Sequence, residues 1–266
     1  MLKEYAGYLP LTIRQIFYRL VGKDIIGKTE KDYNNLGELL NRARRAQVID
    51  MGAIRDDGFT GGFALRNGFT GPDEFLAATV EQANDFRRDR QEGQERRLVL
   101  WCEATGMVPQ LERVAATYGV MVKSSGGFDS LTVKHQAGRM TADVPIEVLH
   151  VGDFDPSGEC MFDALAEDVT AFAEHYGNDV LFSRVAVTPE HIALYHLPTA
   201  PPKASSHQAK KRMSETTQAE ALDPATLADI VREGIEDRMD EGAYRQAVEI
   251  EQHERKWLLD QLQTIA

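Results

Sequence analysis

Three carboxylates, Glu103, Asp153 and Asp155, are the side chains best placed to do chemistry. Glu103 closes the apolar run Leu98-Val99-Leu100-Trp101-Cys102, and Asp153-Phe154-Asp155 follows the largely apolar run 146–151 after a single residue, Gly152. Unbroken apolar runs of this length are the signature of strands buried on both faces of a parallel sheet. Each acidic group therefore stands just past the carboxyl end of a predicted buried strand, which is where open parallel sheets form their ligand sites. If the two strands are neighbours, the three carboxylates converge. Alternate residues of an extended chain face the same way, so Asp153 and Asp155 project together. Carboxylate oxygens suit a hard divalent cation, and Mg²⁺ held by a few carboxylates and water, with Mn²⁺ as a substitute, serves phosphoryl chemistry. Read alone, Asp153-Phe154-Asp155-Pro156-Ser157-Gly158 is a turn, because Asp, Pro, Ser and Gly are turn formers. The strand-terminal glutamate fifty residues upstream is what favours a metal site.

The elements that must position these groups read as an α/β pattern. Predicted strands at 98–102, 120–122, 146–151 and 185–187 alternate with predicted helices at 108–118, 131–142 and 161–176, a βαβ series that implies a mainly parallel sheet. Ahead of it, Thr12 is a good N-cap, and Ile13, Ile16, Phe17 and Leu20 fall on one helical face before Gly22 ends the run. A second helix spans about 31–46, with an apolar stripe of Tyr33, Leu36, Leu39, Leu40 and Ala43 and an exposed face ending in Arg42, Arg44 and Arg45. With the short apolar segments Val48-Ile49 and Ala53-Ile54, the two helices predict a winged helix-turn-helix. Three parts follow: a winged-helix domain at 1–57, a linker or hairpin with a helix at 58–94, and a Rossmann-like domain with a C-terminal helical extension at 95–266. The linker holds the near-repeat Gly58-Phe59-Thr60-Gly61 and Gly68-Phe69-Thr70-Gly71.

A net charge of −12 at first argues against a nucleic-acid partner. The charge is uneven, however. Residues 1–55 carry ten Lys or Arg against six Asp or Glu, whereas residues 101–266 carry 14 against 27. A mildly basic head on an acidic body suits docking of nucleic acid through one end. The two cysteines, Cys102 and Cys160, lie in apolar segments and read as buried free thiols. With neither a signal-peptide pattern at Met1-Leu2-Lys3-Glu4 nor an apolar run of membrane-spanning length, the expected address is the cytoplasm and no membrane partner is expected. Two further segments are candidate phosphate contacts or plain loops: Gly126-Gly127-Phe128-Asp129, and the basic stretch 203–212.

Glu103 at its strand end, followed by His150-Val151-Gly152-Asp153-Phe154-Asp155-Pro156-Ser157-Gly158, resembles the toprim domain. That fold is shared by type IA and type II topoisomerases, bacterial-type primases and certain nucleases. The form Asp-x-Asp-Pro-x-Gly is closest to one branch, the A subunit of topoisomerase VI and the related meiotic double-strand-break protein. Thr12-Ile13-Arg14-Gln15-Ile16-Phe17-Tyr18 is similar to the signature of that branch's winged-helix domain, whose last Tyr is the DNA-cleaving nucleophile. The resemblance covers most of residues 10–200, in the form of the compact single-subunit homologues of bacteria and mobile elements. It implies Tyr18 as nucleophile on double-stranded DNA, Glu103, Asp153 and Asp155 as the Mg²⁺ site, and Glu103 as a catalytic group. It further implies a symmetric homodimer in which Tyr18 of one protomer meets the acidic cluster of the other, and a separate ATPase-bearing B-type subunit.

A tyrosine hydroxyl is a weak nucleophile at its free pKa near 10 and needs a neighbouring cation or base. Arg14, one helical turn before Tyr18, is a candidate to hold the scissile phosphate or favour the phenolate, and Arg19 adds positive charge nearby. The alternative for Tyr18 is a core residue, since it follows Ile16 and Phe17 in an apolar stripe. Two other functions compete with the transesterase. One is a hydrolytic nuclease with metal-activated water as nucleophile, and the other is a non-catalytic DNA-binding subunit.

Overall fold

The computed structural model describes residues 1–55, 68–124, 131–202 and 213–265. They fall into two compact units, Met1–Gly58 with Glu95–Asp237 and Phe59–Gln94 with Arg238–Ala266. The N-terminal helices thus share a unit with the sheet, while the final helix belongs with the 59–94 segment. The near-repeat at 58–71 mostly lies outside the described residues, as do Gly126-Gly127-Phe128-Asp129 and the basic stretch 203–212.

The first unit is an α/β structure around a four-stranded, all-parallel sheet. Its strands are β3 (Arg97–Cys102), β4 (Met121–Ser124), β5 (Ile146–Val151) and β6 (Val180–Ala186), in the order β4-β3-β5-β6. The helices that connect them cover both faces, which is why the central strands carry no polar alternation. On one face Val99, Trp101, Ile146 and Val148 meet Leu165, Val169 and Ala173 of α6 (Pro156–His175). The residues between them, Leu98, Leu100, Leu149 and Val151, are equally buried and point to the other face by the period of two. There α4 (Val108–Ala115) packs with α8 (Pro224–Glu236), while α5 (Leu131–Arg139) packs with α6.

At the N-terminus, β1 (Leu11–Thr12) and β2 (Ile54–Arg55) form a two-stranded parallel pair, with Leu11 opposite Ile54. Thr12 opens α1 (Ile13–Gly22) with a full capping box, its hydroxyl accepting from Gln15 N while the Gln15 side chain accepts from Thr12 N. Ile16, Phe17 and Tyr18 pack with Leu36 and Leu40 of α2 (Glu30–Arg45). A buried hydrogen-bond chain ties α1 to the sheet's helices: Gln15 Nε2 donates to Gln110 Oε1 at 2.8 Å, and Gln110 Nε2 to Pro224 O at 2.7 Å. Buried amides satisfied in series fix orientation, because breaking either link strands a polar group in a dry interior.

In the second unit, α3 (Pro72–Asn84) contacts α9 (Glu241–Ile265). The Glu251 carboxylate, only 1% exposed, pairs with Arg90 at 2.7 Å and with Arg255. Hydrogen bonds from Arg90 first, and from Arg88 N and Arg255, hold its carboxyl down at about 2. No helix among the described residues is long and apolar enough to cross a membrane.

Several expectations need correction. Val48-Ile49 forms no strand; Val48 is 78% exposed, and both amides turn back to the Ala43 carbonyl at the end of α2. Arg44 is buried instead of lying on an exposed basic face, and its Nη2 donates to Met51 O. Cys160 is exposed, and only Cys102 is a buried thiol. α6 starts at Pro156, five residues earlier than the apolar periodicity suggests, and β6 at Val180.

Candidate active site

Glu103 and Asp153 meet because β3 and β5 are parallel neighbours in register, Cys102 beside Val151. The ladder runs one step beyond the strands, with Glu103 N donating to Val151 O at 2.9 Å and Gly152 N to Ala186 O at 2.8 Å. The strand order reverses between β3 and β5, since β4 lies on one side of the pair and β6 on the other. Such a switch point opens a crevice at the carboxyl ends of the strands, which is the general ligand position in sheets of this kind. Here the Glu103 Oε2 accepts from Asp153 N at 3.2 Å. Two glycines make the approach possible. A Cβ at Gly152 would sit 2.5 Å from His150 Cε1 and 2.7 Å from Glu103 Oε2, and one at Gly158 would sit 2.5 Å from the Asp153 carbonyl oxygen.

Asp155 is the N-cap of α6: its Oδ1 accepts from Gly158 N at 2.7 Å, with Pro156 as the first helical residue. The motif is therefore both a turn and a helix start, and the cap fixes the Asp155 carboxylate. Asp153 Oδ1 accepts from Ala219 N at 2.8 Å. Burial, then repulsion from Asp153 and Asp155, pushes the Glu103 carboxyl up to about 7. Burial likewise raises Asp153, with Asp155 adding to it. Arg184, on β6, is a compensating cation that the sequence reading missed. It donates to the Asp153 carbonyl oxygen, bonds Val187 O through Nε at 3.1 Å, pairs with Glu159 at 2.8 Å and lies over the Phe162 ring.

Among the described residues no three His, Cys, Asp or Glu side chains are gathered so as to enclose a metal ion. Each of the three acids gives one oxygen to a backbone amide. What the site offers is a half-buried acidic cluster in which Asp153 and Asp155 raise the proton affinity of Glu103, and Asp155 that of Asp153. Mg²⁺ fits such a cluster, since it keeps several of its waters and needs only one or two carboxylates beside substrate oxygens.

Tyr18 stands with this cluster in the same chain. Tyr18, Lys28, Glu103 and Asp155 line one cavity of about 560 Å³, walled also by Thr216, Thr217 and Gln218. The Tyr18 phenol is 7% exposed as a residue and donates to Gln218 Oε1 at 2.6 Å. Burial, followed by the Glu220 carboxylate, pushes it up to about 12; Arg14 pulls the other way, and Asp153 is near enough to add to the rise. Arg14 lines a second cavity with Tyr18 and Lys28, as its helical spacing predicts, and pairs with Glu220 at 3.6 Å. Arg19 is turned away, bonding Ala221 O and Asp223 at 3.3 Å.

The segment 216–223 thus reaches every group singled out in the N-terminal helix. It is held in place by antiparallel bridges, Phe154 with Thr217 and Ala200 with Thr216. Gln218, Glu220, Lys28 and Arg184 were not singled out in the sequence, and the first two lie in the expected C-terminal helical extension. No protein-family model matches the chain, and no curated protein matches it.

Proposed function

We propose that the chain binds double-stranded DNA and cleaves its backbone by transesterification. In this reading residues 1–57 act as a winged-helix-like reader and the parallel sheet as a toprim-like domain. The observation that carries it is the shared cavity: a tyrosine and two strand-end carboxylates from distant parts of the chain line one space. Glu103, Asp153 and Asp155 would hold Mg²⁺ or Mn²⁺, which when bound supplies charge stabilisation for the departing oxygen. The Tyr18 Oη attacks phosphorus, the bond from phosphorus to the 3′-oxygen breaks, and the phenolic proton ends on that oxygen. The products are a 5′-phosphotyrosyl link and a free 3′-hydroxyl. Arg14 holds a non-bridging oxygen once DNA phosphate displaces Glu220. Because Tyr18 and the acids already share a cavity within one chain, we assign the step to a single protomer, unlike the exchanged arrangement that the resemblance implies.

The direct test incubates supercoiled DNA with wild type, Tyr18→Phe and Glu103→Ala in Mg²⁺, then denatures the mixture with and without protease. The reading requires nicked or linear DNA with wild type, its mobility dependent on protease, and neither variant cutting. One observation favours a second reading. A phenol hydrogen-bonded to Gln218 and raised to about 12 is a poor nucleophile at neutral pH, so a metal-activated water is the competitor. Cutting by Tyr18→Phe but not by Glu103→Ala selects hydrolysis.

A further inference from the structure

We infer that Lys28 is the residue that receives the scissile phosphate beside Tyr18, an inference that rests on the DNA-cleaving reading and deepens it. Three observations converge on this residue. Lys28 lines both cavities that Tyr18 lines, the one shared with Arg14 and the one shared with Glu103 and Asp155. Its Nζ lies 5.8 Å from the centroid of the Tyr18 ring. Among the described residues its hydrogen-bond partners are two uncharged carbonyl oxygens, Pro198 O and Thr199 O, each at 3.2 Å.

The contrast with the neighbouring cations decides the assignment. Arg14 faces the Glu220 carboxylate at 3.6 Å and Arg19 faces Asp223 at 3.3 Å, so both arginines nominated by the sequence are offset by an internal anion. Among the described residues Lys28 is hydrogen-bonded to carbonyl dipoles and to no carboxylate, and its ammonium is partly desolvated. An anion entering the cavity gains more from such a charge than from one already paired, because no carboxylate has to be displaced. The position is fixed from below: Thr29 caps α2 by accepting from Asp32 N at 3.1 Å, and Lys28 is the residue before that cap. The ammonium contacts a non-bridging phosphate oxygen while Tyr18 approaches phosphorus. It therefore serves both the hold on DNA and the stabilisation of the attacking phenolate.

The test uses the full chain and a fluorescein-labelled DNA duplex. Binding is measured against salt in the Tyr18→Phe background, so that no cleavage intervenes, and adduct formation is measured with Tyr18 intact. Each neutralised phosphate contributes a slope of about 0.9 in log affinity against log salt. Lys28→Met is expected to flatten that slope by about one and to slow adduct formation about tenfold or more. Lys28→Arg is expected to restore both in part. Lys23→Met, which removes only an exposed pair with Glu4 at 2.6 Å, is expected to leave adduct formation unchanged. A purely structural role for Lys28, through Pro198 and Thr199, would lower the melting temperature without moving the salt slope, and that result overturns the inference. Wild-type slope and adduct rate in Lys28→Met also overturn it while leaving the DNA reading standing. Failure of the Tyr18→Phe chain to bind the duplex at any salt, with no adduct from wild type, removes both.

Discussion

Replacing Gly152 with alanine adds one methyl group at the point where the acidic cluster is tightest. Its Cβ would lie 2.5 Å from His150 Cε1 and 2.7 Å from Glu103 Oε2, both about 1 Å inside normal contact, and 3.3 Å from His150 Nδ1. The two neighbours differ in how they can yield. His150 is 3% exposed and packed at a tilt against Phe162, with ring centroids 4.9 Å apart, so it moves only by unpacking the core. Glu103 is the end of a flexible side chain and swings away, losing its bond from Asp153 N. Overpacking of this kind costs about 1–3 kcal/mol. A matched control lies in the same chain. Gly37 is inside α2 with nothing within 4 Å of an added Cβ, so Gly37→Ala is expected to gain about 0.5–1 kcal/mol. Chemical denaturation of the two variants should therefore separate them by about 1.5–4 kcal/mol. DNA cleavage should be abolished or severely slowed in Gly152→Ala only. Equal stability of the two variants, or full cleavage by Gly152→Ala, would refute the view that Gly152 is there to let Glu103 approach Asp153.

Two further outcomes follow from named contacts. Mixing Tyr18→Phe with Glu103→Ala should recover no protein–DNA adduct, because both groups line a cavity of one chain; recovery would mean that sites are shared between protomers. Glu251→Gln should destabilise the chain by about 3 kcal/mol, measured by denaturation at neutral pH, since it leaves Arg90 and Arg255 facing a neutral group. The wild-type Glu251 carboxyl is held at about 2, below its ordinary 4.5, so its contribution is present above pH 4.5 and is lost as pH falls toward 2. Glu251→Gln should flatten that acid limb, and an unchanged pH dependence would contradict the assignment.

The two central strands were legible because burial on both faces leaves a nearly unbroken apolar run: 146–151 is apolar enough to be read as a strand at both ends, and it is one. Glu103 and Asp153 could be placed at strand ends, but their meeting depends on β3 and β5 being neighbours, which is a matter of strand order. The start of α6 was obscured because Asp-Pro-Ser-Gly satisfies a turn and a capped helix equally well, and only the bond from Gly158 N to Asp155 decides between them. Arg44 was misjudged because helical periodicity assigns a face without knowing that the Met51 carbonyl returns over it. Gln218 and Glu220 were out of reach for a simpler reason. Their partners lie far along the chain, Tyr18 and Gln218 being 200 residues apart, and no local pattern encodes such a contact.

The central claim concerns which atom ends up joined to DNA. Wild-type chain incubated with duplex DNA and Mg²⁺, trapped with denaturant and digested with nuclease and protease, can be sequenced by mass spectrometry. The account predicts a nucleotide joined through its 5′-phosphate to the Tyr18 peptide, with no modified peptide from Glu103→Ala. A nucleotide on any other residue, or efficient cutting that leaves every peptide unmodified, contradicts it.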